Sequence, residues 1–288
     1  MPPLLTTLAA AVLASSSGCA PPPEIARIPA GPPADSGLSL VLNLPAFRLD
    51  VRTAQGVVRS YTVAIGSRRY RTPTGSYEVT SVELNPWWHP PASDWARDEK
   101  ITPPGPANPM GRAKLNFHEL YFLHGTPHAS SLGSAASHGC VRMANRDVQE
   151  LARTVLALAR PDVPPEAIAA AEADVGRTRH FVVHASIPVE IVYRTAEVRD
   201  GALELHPDVY RRETTPLRAR ALAALAGMGF GEEHVDPVVL DSVVAAGRRT
   251  HARVEIARLV LATAPTATEA ARPWVAAGSP AGWVGRRR

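Results

Sequence analysis

From residue 38 onward the apolar positions recur at two spacings. Residues 38–43, Leu38-Ser39-Leu40-Val41-Leu42-Asn43, and residues 46–51, Ala46-Phe47-Arg48-Leu49-Asp50-Val51, read as short strands joined by a turn at Leu44-Pro45. Residues 57–65 form a third strand ending at Gly66, and Thr72-Pro73-Thr74-Gly75 is a turn signal before an alternating strand over 76–82. Residues 85–110 hold seven Pro and three Trp without a regular pattern, which predicts a long ordered loop. The apolar cluster Phe117, Leu120, Tyr121, Phe122 and Leu123 runs into His124-Gly125-Thr126 and places a histidine at a strand end. The spacing then turns helical over 147–160, through Val148, Leu151, Val155, Leu156 and Leu158, with Asn145 as N-cap and Pro161 as stop. A second helix-like stretch covers 165–173, and 181–184 and 187–193 return to strand. Beyond Tyr193, residues 217–227 and 238–246 read as Ala- and Val-rich helices, with a third over 252–261. The pattern predicts a β-rich α+β domain over 37–193 and a partly helical extension over 194–288.

The start of the chain follows another rule. An apolar run of about 11 residues from Leu4 to Ala14 is too short to span a bilayer but suits the apolar region of an export signal. Ser15-Ser16-Ser17-Gly18-Cys19 and a Pro-rich stretch over 20–36 follow, an extended tether of polyproline type. A small residue before Cys19 and a Pro-rich segment after it resemble the lipobox of bacterial lipoproteins. That resemblance implies a signal over 1–18, a lipidated Cys19, a tether over 19–36 and a protein held in the periplasm or cell envelope. Plain cleavage and an uncleaved start stay open beside it.

Composition narrows the classes. With 288 residues, 45% hydrophobic and 20% charged, the chain can bury a sizeable core, and 28 Pro with 20 Gly favour turns and ordered loops over long helices. A net charge of +4, whose one dense basic run is Arg286-Arg287-Arg288, is too little to imply nucleic acid. Two cysteines, Cys19 and Cys140, exclude a disulfide scaffold and a four-cysteine zinc site. If Cys19 is lipidated, Cys140 is left as a lone thiol in an oxidising compartment, which needs a reason.

Cys140 supplies one through its neighbours. It sits in Ser137-His138-Gly139-Cys140-Val141-Arg142-Met143, between a strand and a helix start, where nearby positive charge favours a thiolate and Gly139 permits a tight turn. A thiol nucleophile needs a base, a group that holds the base, and backbone N–H groups aimed at the developing oxyanion. His124, sixteen residues upstream, is the best base candidate, with a Gly-, Ser- and Ala-rich segment between that can loop back.

These residues carry a family resemblance. His124-Gly125-Thr126 followed by Ser137-His138-Gly139-Cys140-Val141-Arg142-Met143 resembles the signature of the L,D-transpeptidases, the YkuD-type catalytic domain of bacterial cell-wall enzymes. Thr72-Pro73-Thr74-Gly75, Asn85-Pro86-Trp87-Trp88 and Pro103-Pro104-Gly105 through Asn108-Pro109-Met110-Gly111 match in the family's order, over about residues 38–193. The resemblance implies a two-sheet β-sandwich with its site in a cleft under a lid-like loop. It implies attack by Cys140 on the diaminopimelate–D-Ala bond of a peptidoglycan stem peptide, a thioester, and transfer to an amine. His124 would be the base. Backbone N–H groups of His138, Gly139 and Cys140 would bind the oxyanion, and the His138 ring and Arg142 would order the site or pair with a substrate carboxylate, with Ser137 and Gly125 lining it. No metal or organic cofactor is implied. The implied partners are stem peptides, an envelope lipoprotein as acceptor, and carbapenem-type β-lactams as inhibitors.

Rival readings remain beside it. A buried structural thiol, a disulfide to Cys19, or a zinc site from His118, His124, His128, His138 and Cys140 would each remove Cys140 from catalysis, although those spacings match no zinc-ligand motif. Trp87, Trp88 and Trp95 serve either loop packing or a substrate platform. A papain-like protease would place its histidine after the cysteine, the reverse of this order. An L,D-carboxypeptidase or exchange enzyme, or a non-catalytic peptidoglycan-binding lipoprotein, are the alternatives on the same fold. The extension resembles, at Gly201-Ala202-Leu203-Glu204-Leu205-His206-Pro207, the one in enterobacterial members that attach a lipoprotein to the wall.

Overall fold

The computed structural model describes residues 37–261; the export segment over 1–18, Cys19, the tether over 19–36 and the three terminal arginines lie outside the described residues. The first part of the described chain runs β1 (Ser39–Asn43), β2 (Arg48–Thr53), β3 (Gly56–Gly66), β4 (Gly75–Glu78), β5 (Ser81–Leu84), β6 (Ala113–Asn116), β7 (Phe122–Thr126), β8 (Ala135–Ser137) and β9 (Val141–Ala144). It continues as α1 (Asn145–Ala159), α2 (Pro165–Ala173), β10 (Arg179–Val182) and β11 (Pro188–Val192). The remainder is β12 (Ala196–Arg199), β13 (Ala202–Leu205), α3 (Leu217–Ala226), α4 (Pro237–Gly247), β14 (Ala252–Glu255) and a single turn, α5 (Ile256–Leu259).

Ten strands pair in the order β10-β5-β6-β7-β9-β3-β2-β1-β11-β4, and β8 joins β3 beside this path. The long β3 serves two arms. Its first part pairs with β2, while Val63 and Ala64 pair with Met143 and Arg142 of β9. The two-sheet expectation is met by arms that share this strand. Leu40, Leu42 and Leu49 of one arm, Val82, Leu115, Leu123 and Val141 of the other, and Val148, Leu151 and Val155 of α1 close into one core. Burying these branched side chains, at roughly 1.5–3 kcal/mol each, is what holds the arms together.

The structure divides the alternating run over 76–82. β4 pairs with β11 in one arm, and β5 pairs with β6 and β10 in the other. The inward positions change parity at the crossing, from Tyr77 and Val79 to Val82 and Leu84, and the adjacent polar pair Thr80-Ser81 marks it in the sequence. Asn145 does not cap α1 through its side chain: Ala144 holds that position, and Asn145 Oδ1 accepts from Arg112 N–H at 3.0 Å. The helix expected over 252–261 is instead β14 and α5. Ala252 and Val254 alternate against Leu205 and Leu203 of β13, while Arg253 lies opposite Glu204, a sheet pattern that a short apolar run disguises.

The extension has its own core of Leu203, Leu205, Leu217, Ala221, Leu225, Leu240 and Val244. It meets β1 and β2 through a buried ionic seam. Arg48 pairs with Asp50, Glu197 and Glu204 at 2.8–3.1 Å, and Asn43 Nδ2 donates to Glu197 and to the Arg194 carbonyl.

Candidate active site

Three neighbouring strands put charged and titratable side chains in one row. Lys114 of β6 lies opposite His124 of β7, which lies opposite Arg142 of β9. Strand alternation sends the intervening residues Leu115, Leu123, Val141 and Met143 into the core. His124 is 2% exposed, so an imidazolium there would lose its hydration between two cations. Burial above all, then Arg142 and Lys114, lowers its pKa from 6.5 to about 4, although the carbonyls of Gly125 and Pro109 pull the other way. The ring is therefore neutral at ordinary pH. Its Nδ1 stands 2.6 Å from the Gly125 carbonyl, a contact that places the proton on Nδ1 and leaves Nε2 its lone pair.

Cys140 precedes β9 by one residue and is a free, half-buried thiol. Its Sγ donates to the Leu120 carbonyl at 3.6 Å. Burial pushes the thiol up, against a backbone hydrogen bond to Phe122 and the charges of Lys114 and Arg142. Cys140 directly precedes Val141, which lies opposite Leu123, so thiol and imidazole are carried at adjoining positions of paired strands, and Lys114 and Arg142 act on both. Among the described residues no hydrogen bond joins them. The resting pair is a neutral thiol beside a neutral imidazole, a state in which His124 can take the thiol proton only as a bond to sulfur forms.

The loop that carries Cys140 is held at each residue. Ser137 Oγ accepts from Gly139 N–H at 3.0 Å and donates to the Cys140 carbonyl at 2.5 Å. Gly139 has φ +118°, and a Cβ there would lie 2.8 Å from Tyr121 Cε1, so only glycine fits the turn. The Gly139 carbonyl accepts from the Thr72 hydroxyl at 2.8 Å. Of the N–H groups expected at the oxyanion, that of Gly139 is engaged by Ser137, leaving those of His138 and Cys140.

The His138 ring faces the loop over 85–110. Trp95 stacks on it at 4.0 Å and 4° between planes, and Tyr70 flanks it at 4.8 Å. Burial and then Arg142 lower its pKa. Trp88 exchanges backbone hydrogen bonds with Thr102 across the same loop, while Trp87 stays exposed. Arg142 is partly buried, and no carboxylate pairs with it among the described residues; desolvation lowers its pKa. Gly125 serves through its carbonyl and its lack of a side chain, since a Cβ would press into Asn145 Oδ1 and approach Arg112 N to 3.0 Å. His118 packs against Tyr77 and Tyr121, on ring contacts rather than a shared metal cluster with His124 or Cys140. Where acidic and histidine groups do converge, at Glu197, Glu204 and His206, the Arg48 guanidinium bonds both carboxylates.

Sequence reasoning passed over Lys114 and Tyr210, and read Tyr121 only as an apolar strand position and Asn145 only as a helix cap. Lys114 alone left a signal, a cation two residues before a strand end facing a histidine, which becomes readable once β6 is paired with β7.

Comparison with known proteins adds to this geometry. Residues 38–191, more than half of the chain, match the family profile described as the L,D-transpeptidase catalytic domain, YkuD. A relative from Bacillus licheniformis named as L,D-transpeptidase YkuD is 31% identical over 129 residues, covering 44% of this chain and 65% of its own length. One from Escherichia coli named as L,D-transpeptidase YbiS is 27% identical over 190 residues, covering 63% of this chain and 56% of its own length. The chain thus spans less than two thirds of either relative. Among solved structures, an L,D-transpeptidase in complex with imipenem aligns over 54% of this chain and 59% of its own, at 18% identity and a TM-score of 0.34.

Proposed function

The chain belongs to the family of L,D-transpeptidase catalytic domains, and from that premise we propose that it is a cysteine acyltransferase acting on peptidoglycan stem peptides. One observation carries the residue assignment: a free thiol, Cys140, lies beside the strand pairing of β7 with β9 that holds a buried histidine, His124, neutral at working pH. In the first half-reaction Cys140 Sγ bonds to the carbonyl carbon of diaminopimelate and the C–N bond to D-Ala breaks. The thiol proton passes through His124 Nε2 to the departing amine. In the second, an amine of another stem or of an envelope lipoprotein attacks the thioester, the C–S bond breaks, and the proton returns through His124 to sulfur. The N–H groups of His138 and Cys140 stabilise the oxyanion in both steps, and Arg142 takes a substrate carboxylate. The protein works in the cell envelope, with residues 1–18 as its export signal and Cys19 as its lipid attachment point.

Incubation with a disaccharide-tetrapeptide, read by mass spectrometry, tests this. The wild type is expected to release D-Ala and form a dimer, and Cys140→Ala to do neither. D-Ala release without a dimer makes the enzyme a carboxypeptidase or exchange enzyme. Release that persists in Cys140→Ala removes Cys140 as nucleophile, and binding of sacculi without turnover by either protein makes it a binding lipoprotein.

A further inference from the structure

One side chain from beyond the family-matched region is linked through Thr72 to the loop that carries Cys140. Tyr210 is 1% exposed and is the largest fully buried side chain among the described residues. Its hydroxyl donates to the Gly66 carbonyl at 2.8 Å and accepts from Thr72 N–H at 3.2 Å. The Thr72 hydroxyl accepts from Gly66 N–H at 2.9 Å and donates to the Gly139 carbonyl at 2.8 Å. Behind Tyr210, the Tyr193 hydroxyl accepts from Tyr210 N–H at 2.7 Å and donates to Asp208 at 2.6 Å. Arg68 Nε donates to the Val209 carbonyl at 2.8 Å, so the segment is latched to the 66–72 turn on its backbone as well.

Each of these three hydroxyls, and that of Ser137, donates once and accepts once, which fixes the direction of every bond between Asp208 and Cys140. The chain ends on a meaningful atom. The Gly139 carbonyl and the Cys140 N–H belong to one planar peptide and point in opposite directions, so a hydroxyl that holds the carbonyl also aims the N–H. That N–H is one of the two assigned above to the oxyanion.

We propose that Tyr210 is a positioning residue for acyl transfer: through Thr72 it orients the Gly139–Cys140 peptide and so the oxyanion donor, which makes the extension part of the catalytic apparatus. This rests on the reading of Cys140 as nucleophile. The expected signature is a split between two reactions of the same thiol. Acylation by a β-lactam passes through an oxyanion, whereas alkylation by iodoacetamide does not.

The test uses full-length wild type, Tyr210→Phe, Thr72→Val, Thr72→Ser and Cys140→Ala. Imipenem acylation is followed by intact mass, and Cys140 alkylation by peptide mapping. Since removing an oxyanion donor outright costs about 10²–10³ in rate, a misaimed one is expected to slow acylation of Tyr210→Phe and Thr72→Val by about tenfold or more. Alkylation stays within about twofold, and Thr72→Ser, which keeps the hydroxyl, acylates at close to the wild-type rate. Acylation of Tyr210→Phe at the wild-type rate overturns the proposal, as does a parallel change in both reactions, the mark of a merely structural role. If Tyr210→Phe does not fold, the Thr72→Val and Thr72→Ser pair decides on the same criteria. A wild type that imipenem does not acylate, or acylation that survives in Cys140→Ala, instead overturns the Cys140 reading and this proposal with it.

Discussion

A histidine between two cations is an unusual choice for a base unless it must stay neutral, and burial of His124 between Lys114 and Arg142 ensures that it does. The acid limb of the pH–rate profile should therefore lie near pH 4, well below the 6.5 of a solvated imidazole, and His124→Gln should lower the rate by roughly 10²-fold or more. A limb near 6.5 would assign the proton transfer to another group. The same shift is a stability statement. Unfolded His124 takes up a proton below about 6.5 and folded His124 only below about 4, so stability falls as pH drops across that window. The full loss is about 3 kcal/mol, and urea melts of the wild type should show a drop that His124→Gln lacks. Arg142 has no carboxylate partner among the described residues and so presents an uncompensated guanidinium to the cleft. If it holds a substrate carboxylate, Arg142→Met should raise KM by about tenfold or more while kcat changes little, the pattern of a binding contact shared by ground and transition states.

Between residue and molecule, the strand-loop-helix unit of β8, β9 and α1 sets the geometry. Its central loop turns at Gly139, and its helix start reaches back through Asn145 to the Arg112 backbone, against Gly111 and Gly125. This contact ties α1 to the backbone just before β6, the neighbour of the strand that carries His124. Asn145→Ala tests its weight. Alanine is the better helix former by roughly 0.5 kcal/mol, yet the change orphans the Arg112 N–H, at about 1–3 kcal/mol. A lower melting temperature is expected; an unchanged or higher one would show that water replaces the lost acceptor.

At the scale of the whole molecule, the extension is joined to β1 and β2 by charge and to the end of β3 by Tyr210. Burial pushes Glu197 up, but the hydrogen bond from His206 and the Arg48 guanidinium outweigh it and hold the carboxyl at about 2. Its contribution is present above about pH 4.5 and is lost as pH falls through about 2. Arg48, 13% exposed, stands among Asp50, Glu197 and Glu204. Arg48→Met leaves buried carboxylates short of a partner and should cost about 3 kcal/mol or more, read as a lowered urea midpoint at neutral pH. An unchanged midpoint would mean that Arg253 and His206 suffice for the seam.

The order of His124-Gly125-Thr126 and Ser137-His138-Gly139-Cys140-Val141-Arg142-Met143 and the alternating strands around them were legible along the chain. Each depends on residue type and local spacing. The family and the β-rich fold follow from these alone. What lies across the chain was not legible. Lys114 becomes a neighbour of His124 only through strand pairing. The run over 76–82 divides between two arms at Thr80-Ser81, where the inward positions shift by one residue, too small a step to read locally as a strand end. Thr72, readable locally as a turn residue, becomes an anchor of the Cys140 loop sixty-seven positions away, and Tyr210 holds Thr72 across 138 positions. Hydrogen bonds of that span leave no mark on local composition, since a tyrosine before a loop end looks the same whether its hydroxyl meets water or a backbone carbonyl. Residue chemistry and spacing therefore determined which groups can react, and tertiary packing decided which of them are neutral, which are aimed, and what holds them in place.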